Sequence, residues 1–450
     1  MTKNHIVRLG PVAATRVWGA MVRDPLRTYG RIARAYGDTV EIGIAPRRSF
    51  FLFARPEHAE RVLVSGQHNY VKAFTYRPLA SFLRTGLVTS EGETWQRHRR
   101  MVQPVFSARH VAGFAPAIGA GARRTAERWR ALGPDASVDI ASEMATLTLD
   151  VVGRALFGVP LGADTERLSG SLGTLQSAAV AGAFVPMLWG PRTVGVLRRV
   201  APPVRRAVDG LDGVVYRLIE AHRADLDPEN PRDLLDLMLT ARDADGAGLS
   251  DEELRDEVAT FVLAGHETTS LALTWAFVLL SENPGAWERL AAEARALTGD
   301  ELTAADLDRL PWTAAVVSEA IRLYPPAWTI ERDATADDEV AGVPVPKGSI
   351  VAIPPYLIHR HPDFWPNPEG FAPERFLDGD AGRHRYAYLP FGGGRRGCVG
   401  ASFARLEAVL LLAALAREFR PELRPGVRPA ARGMVTLRPR GPVPMTIRKL

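Results

Sequence analysis

The sequence predicts a mainly α-helical protein with a small β-rich region. Three observations carry this. Helical periodicity dominates from about residue 91 to 330 and again over about 400–418. Strand-like alternation is confined to about 35–65 and 334–360. Strands and helices do not alternate in βαβ fashion, which argues against a parallel doubly wound sheet. The 450 residues suffice for one large domain or two to three average ones. At 46% hydrophobic and 24% charged, the composition is that of a globular chain.

The elements follow in order. "TVEIGI" (39–44) and "SFFLFA" (49–54) read as strands followed by a helix. Polar breaks at 224–233, 241–250 and 296–306 divide the helical body. Ser250 with Glu253 forms a capping box that opens a helix through about 281. A helix starts near Pro311 and runs to Leu323, where "YPP" stops it. Short strands fall within 339–353, and 362–376 is a proline-rich irregular stretch. A glycine-rich loop then leads into a last helix over about 400–418.

Bulk properties exclude several function classes. Lys+Arg 56 against Asp+Glu 51 gives a net charge of +5, scattered rather than clustered. No basic arm or zinc-finger spacing points to nucleic acid. The N-terminal stretch is interrupted by Arg8 and Arg16 and lacks the apolar core of a signal peptide. No apolar run is long enough to span a bilayer, so a cytoplasmic protein without a membrane anchor is expected. The single cysteine rules out an intrachain disulfide framework.

That cysteine, Cys398, lies in "FGGGRRGCVG" (391–400), immediately before the last helix. Unpaired N–H groups and the dipole at a helix start favour thiolate over thiol. Glycines at 392, 393, 394, 397 and 400 allow tight turns and close approach of a bulky partner. Phe391 can shield the sulfur, and Arg396 supplies a fixed cation for a carboxylate. An iron porphyrin needs both an axial ligand and partners for its propionates. Two other readings remain open here. A lone cysteine is most often a buried structural thiol. The spacing Gly392-x-Gly394-x-x-Gly397 also matches a dinucleotide fingerprint, which would make the chain a dinucleotide-dependent dehydrogenase, although "RYAYLP" is a poor preceding strand.

The loop resembles the heme-binding segment of the cytochrome P450 family, F-x-x-G-x-R-x-C-x-G, with Phe391, Gly394, Arg396, Cys398 and Gly400 in the specified places. Other stretches are similar to the family in the same order. "AGHETTS" (264–270) resembles its oxygen-activating motif. The resemblance implies that Thr268 hydrogen-bonds the dioxygen under activation, that Glu267 relays protons and that Ala264 sits over the porphyrin. His266 falls on the variable position and is read as non-ligating. "WQRHRR" (95–100) resembles the W-x-x-x-R helix, so Trp95 and Arg99, and less directly His98, are expected at a propionate. Arg332 in "TIERDA" is expected to do the same, and Arg97 and Arg100 to be solvated or to face a partner. Glu319-x-x-Arg322 together with Arg375 in "FAPERF" resembles the structural Glu–Arg–Arg network.

The resemblance runs from about residue 35 to the C-terminus. It implies the cytochrome P450 fold as a single large domain over 1–450, heme b (iron protoporphyrin IX) ligated by Cys398, and a soluble bacterial-type monooxygenase of secondary metabolism. It also implies hydroxylation or epoxidation of a lipophilic small molecule, such as a terpenoid, fatty acid, steroid or macrolide precursor. Electrons are expected from a separate ferredoxin or flavodoxin with its reductase, docking near basic residues such as Arg395. A heme-thiolate peroxygenase or isomerase is the alternative within the same chemistry. Apolar segments expected around the substrate are 73–83, 178–190, 325–330 and 434–437.

Overall fold

A computed structural model describes residues 6–45, 48–133, 136–160, 168, 170–179, 202–297, 299, 302–377, 379 and 382–450. The helices used below are α1 (Pro11–Arg23), α2 (Pro25–Tyr36), α3 (Gly92–Val102), α4 (Ala115–Arg130), α5 (Ile140–Phe157), α6 (residues 170–179), α7 (Pro202–Ala224), α8 (Asp251–Glu282), α9 (Pro311–Leu323) and α10 (Ala401–Ala416). Helix predominates, and no described helix is long and apolar enough to cross a membrane.

The chain divides into two compact units. The smaller comprises Met1–Arg77, Glu319–Cys398 and Ala431–Arg438. Its centre is a six-stranded mixed sheet of β1 (Val7–Leu9), β2 (Thr39–Ala45), β3 (Arg48–Phe53), β4 (Tyr70–Lys72), β6 (Ile330–Ala334) and β9 (Ile350–Ile353), in spatial order β1-β2-β3-β9-β6-β4. β3 pairs parallel with β9, and β9 pairs antiparallel with β6. Strand β9, "IVAI", is buried throughout, as expected for an interior strand covered on both faces. Phe51, Phe53, Val351 and Ile353 belong to one core, extended by Val343 and Val345 of a small hairpin.

The larger unit comprises Pro78–Ser318, Val399–Ala430 and Pro439–Leu450. Its axis is α8, with α5, α7 and α10 packed against it. The Ser250–Glu253 capping box is formed in both directions, at 3.2 and 2.8 Å. α8 is buried from Leu254 to Leu280 except at Ala264, Gly265 and Thr268, with charged residues such as Arg255, Asp256, Glu257 and Glu267 among mostly apolar ones. A helix of that character belongs in a core, and its packing is close. A Cβ added at Gly265 would sit 3.1 Å from Val152 of α5. The smaller sheet of this unit orders β10 (Phe419–Leu423), β13 (Pro444–Lys449) and β5 (Ser137–Asp139).

Candidate functional site

In the smaller unit, the cysteine loop is shaped by its own backbone and by fixed neighbours. The Cys398 N–H donates to the Phe391 carbonyl at 2.9 Å, and Gly397 N–H to Gly394 O at 3.0 Å. Gly394 has φ +64°, and a Cβ there would overlap the Leu63 carbonyl oxygen, so only glycine fits. The Arg395 N–H is taken by Gln67 at 3.0 Å. Upstream, Leu389 N–H donates to His359 Nε2 at 2.8 Å. His359 is buried, and burial, reinforced by the Arg322 and Arg360 guanidiniums, lowers its pKa to about 3, so it accepts as a neutral ring. Cys398 is exposed, while Phe391 and Arg396 are half-buried. "RYAYLP" forms a single-turn 3-10 helix at Arg385–Ala387 rather than a strand. The dinucleotide fingerprint therefore lacks the strand it requires.

Glu319, Arg322 and Arg375 come together in this unit. Arg322 also donates to three backbone carbonyls: His359 at 2.8 Å, Pro368 at 2.7 Å and Gly370 at 3.0 Å. Arg375 Nε lies 3.2 Å from Glu319, whose Oε1 also accepts Ala372 N–H at 2.9 Å. Trp365 stacks beneath Arg322, Arg375 and Arg383. This network fixes the irregular stretch that leads to the cysteine loop. Arg332 is half-buried on β6, and one of its N–H groups is bonded to the Glu331 carbonyl at 2.9 Å.

In the larger unit, α8 presents Ala264, Gly265 and Thr268 as its sole accessible window between Leu254 and Leu280. Along one face of α8, Phe261 and Ala272 are buried and Ala264 and Thr268 are accessible. Four consecutive carbonyls here receive hydroxyls: Ala264 from Thr268 at 2.7 Å, Gly265 from Thr269 at 3.3 Å, His266 from Thr148 of α5 at 2.9 Å and Glu267 from Ser270 at 2.8 Å. Such side-chain competition loosens a helix locally, yet α8 stays α-helical throughout. His266 is buried, with Nδ1 2.9 Å from Val262 O. Glu267 is buried and accepts the side-chain amide of Gln176.

On α3, Trp95 is buried and Arg99 lies one turn on, where its Nε donates to Gln103 at 3.2 Å. Arg99, Arg100, Gln103, Pro104, Phe106, Ser107 and Val399 line a cleft of about 570 Å³. Gly400 lies beside it, and a Cβ there would meet Phe106 at 3.4 Å.

His98 points elsewhere, which corrects its expected place at a propionate. Its ring nitrogens lie 2.7 Å from Glu257 and 3.2 Å from Glu253, and the side chain is fully buried. Burial opposes the imidazolium, but the Glu257 and Glu253 carboxylates outweigh it and raise its pKa. Burial raises Glu257 in turn. Arg97 is half-buried and pairs with Asp243 and Glu253, each at 2.6 Å. Both residues fasten α3 to the start of α8. They were illegible in sequence because their acids lie some 150 residues downstream.

Two functional neighbours escape sequence reasoning. Gln176 carries a usable signal, as a polar residue in the apolar stripe Leu172, Leu175, Ala179. Glu407 of α10 carries none. It is fully buried near Thr269, and neither carboxylate oxygen has a hydrogen bond of normal geometry. Burial, opposed by the Thr269 hydroxyl, pushes it up to about 8.

The expected substrate-lining segments divide. Residues 325–330 and 434–437 meet in the smaller unit, where Trp328 Nε1 donates to Met434 O at 2.8 Å and Leu437 N–H to Pro326 O at 3.0 Å. Of 178–190, residues 180–190 lie outside the described residues.

Taken unit by unit, the residue types suit a heme: the smaller unit offers one exposed thiol after a tight glycine loop and guanidiniums for carboxylates, and the larger a small-residue window beside a hydroxyl. Comparison with known proteins is in accord. The family model described as "Cytochrome P450" matches residues 11–442. Cytochrome P450 132 of Mycobacterium bovis is 35% identical over 96% of this chain and 95% of its own length. Cyclooctatin synthase of Streptomyces melanosporofaciens is 35% identical over 93% of this chain and 90% of its own. Pentalenene oxygenase of Streptomyces avermitilis is 33% identical over 91% and 90%.

Proposed function

Because this chain belongs to the cytochrome P450 family, we propose that it inserts one oxygen atom into a terpenoid-type hydrocarbon skeleton, by hydroxylation or epoxidation. It is a heme-dependent monooxygenase. Heme b supplies the oxidising chemistry: dioxygen, two electrons and two protons yield water and an oxygen atom for the substrate. The chain's own residues do the rest. Cys398 would hold the iron as a thiolate, the ligand type that favours O–O cleavage. Trp95, Arg99, Arg332 and Arg396 would bind the propionates. Thr268 would donate its hydroxyl at the accessible window of α8, with buried Glu267 beside it to hold and pass a proton.

The observation that carries this reading is the cysteine loop, in which the chain's single thiol is exposed after a backbone geometry only glycine permits at position 394. Two features favour a terpenoid-type substrate. The segments 325–330 and 434–437, joined as described, are apolar. Two relatives carry names that denote oxidation of hydrocarbon-derived skeletons: cyclooctat-9-en-7-ol 5-monooxygenase and pentalenene oxygenase. Electrons would come from a separate ferredoxin or flavodoxin, for which exposed Arg395 offers positive charge.

The test is a spectral titration with a library of cyclic terpenes, fatty acids, steroids and macrolides, followed by turnover under labelled dioxygen with a ferredoxin system. A low- to high-spin shift with terpenes and one labelled oxygen in the product supports the proposal. A shift confined to another class contradicts the substrate, and turnover driven by peroxide alone contradicts the use of dioxygen.

A further inference from the structure

We propose that Gln176 is a positioning residue that fixes the buried carboxylate of Glu267 through its side-chain amide. The inference deepens the proposed function, since it rests on Glu267 serving there as the proton-relaying acid.

The argument begins with a residue out of place. α6 buries Leu172, Leu175, Gln176 and Ala179, a stripe spaced as one helix face that contains one polar member. A primary amide without a partner in such a place is costly, so a glutamine there must be bonded. Its Nε2 donates to Glu267 Oε2, across 91 residues of sequence, and only 1% of Gln176 is exposed. Glu267 is itself buried beside Thr268. The amide therefore meets the carboxylate where water is largely excluded.

The choice of a neutral donor matters. A guanidinium would bond the carboxylate and also cancel its charge, which would make protonation unfavourable. An amide orients the oxygen through a neutral hydrogen bond and places no full positive charge beside the carboxylate. Several ionisable groups on helices packed against α8 face other groups. Asp150 of α5 is bonded to Arg124 and Arg154. Asp212 of α7 is taken by Arg84 and Arg255, and His222 by Asp233. Glu407 of α10 lies by Thr269, and on α8 itself His266 turns to Val262. The Gln176 amide, by contrast, bonds the Glu267 carboxylate directly.

The experiment compares Gln176→Leu and Gln176→Glu, as full-length holoenzyme, in wild-type and Glu267→Gln backgrounds. Two quantities are read against pH: the thermal midpoint, and the fraction of electrons recovered as product rather than peroxide. Without the donor, the protonated carboxyl becomes the preferred folded form, so folding binds a proton and stability falls as pH rises. The midpoint deficit of Gln176→Leu should grow by ~2–4 °C between about pH 5 and about pH 8. In Gln176→Glu, two carboxyls share one proton, so the variant should match wild type at low pH and fall away steeply above. In the Glu267→Gln background, the pH dependence of Gln176→Leu should vanish, and that of Gln176→Glu should shrink to that of a single buried carboxyl beside an amide. Parallel midpoint curves in the two backgrounds overturn the proposal. Divergent curves with a several-fold loss of product yield support it together with the role of Glu267. Divergent curves with unchanged yield support the contact and sink the proton-relay reading instead.

Discussion

Arg322 grips Glu319 through two hydrogen bonds, at 2.6 and 2.8 Å, and neither side chain has any solvent exposure. The pair sits on the last turns of α9, and Arg322 also carries three backbone carbonyls of the irregular segment beyond it. Removing the arginine leaves a buried carboxylate without its main partner. Arg322→Ala should cost about 3–5 kcal/mol, read by denaturant unfolding, with heme content falling in parallel. Arg322→Lys should fail to rescue, because an ammonium cannot reproduce the planar set of donors.

His98 and Glu257 form a second buried pair, between α3 and α8. His98→Ala should cost about 3 kcal/mol, because it strands a carboxylate in the core. The pH dependence follows from the raised His98 pKa. A histidine raised on folding contributes its full stability below its unfolded value and loses it as pH rises through the folded one. The deficit of the variant should thus be largest below about pH 6.5 and shrink above it, as measured by urea midpoints across pH.

Glu407 has the opposite character to a paired acid. Its pKa of about 8 in the folded chain lies above the ordinary carboxylate value. Stability is full below the unfolded value, about pH 4, and declines as pH rises from there toward 8. Glu407→Gln should remove that decline, with a gain growing with pH to roughly 5 kcal/mol above the folded value. Equal pH slopes for wild type and variant in thermal unfolding would contradict this.

Thr268 bonds the Ala264 carbonyl at the accessible window of α8. Thr268→Ala loses one exposed-side hydrogen bond, so stability should change by about 1 kcal/mol or less. Product formation should instead drop by roughly 10-fold or more, with the missing electrons recovered as peroxide or water. Substrate-induced spin shifts should persist, which separates binding from proton delivery.

Local signals made much of this protein legible. α9 spans Pro311–Leu323 as its flanking prolines demand, and Ser250 with Glu253 caps α8 as their spacing requires. Both depend on contacts within one helical turn. The cysteine loop was readable because glycine, arginine and cysteine types carry their chemistry with them. Nothing local marks the partners of Arg97, read as solvated or partner-facing, or of His98, read as a propionate neighbour, because only the fold brings Asp243, Glu253 and Glu257 to them. Glu407 looked like any glutamate of a leucine-rich helix, and its burial is a property of packing around α8 alone. Gln176 stood between these cases. Its place in an apolar stripe was visible, but its partner was not.

The most direct test of the central claim is the carbon monoxide difference spectrum of the reduced protein, measured for wild type and Cys398→Ala. Thiolate ligation by Cys398 predicts a long-wavelength band in the wild type that is absent from the variant, even where the variant is reconstituted with heme. Retention of that band without the Cys398 sulfur would contradict the account.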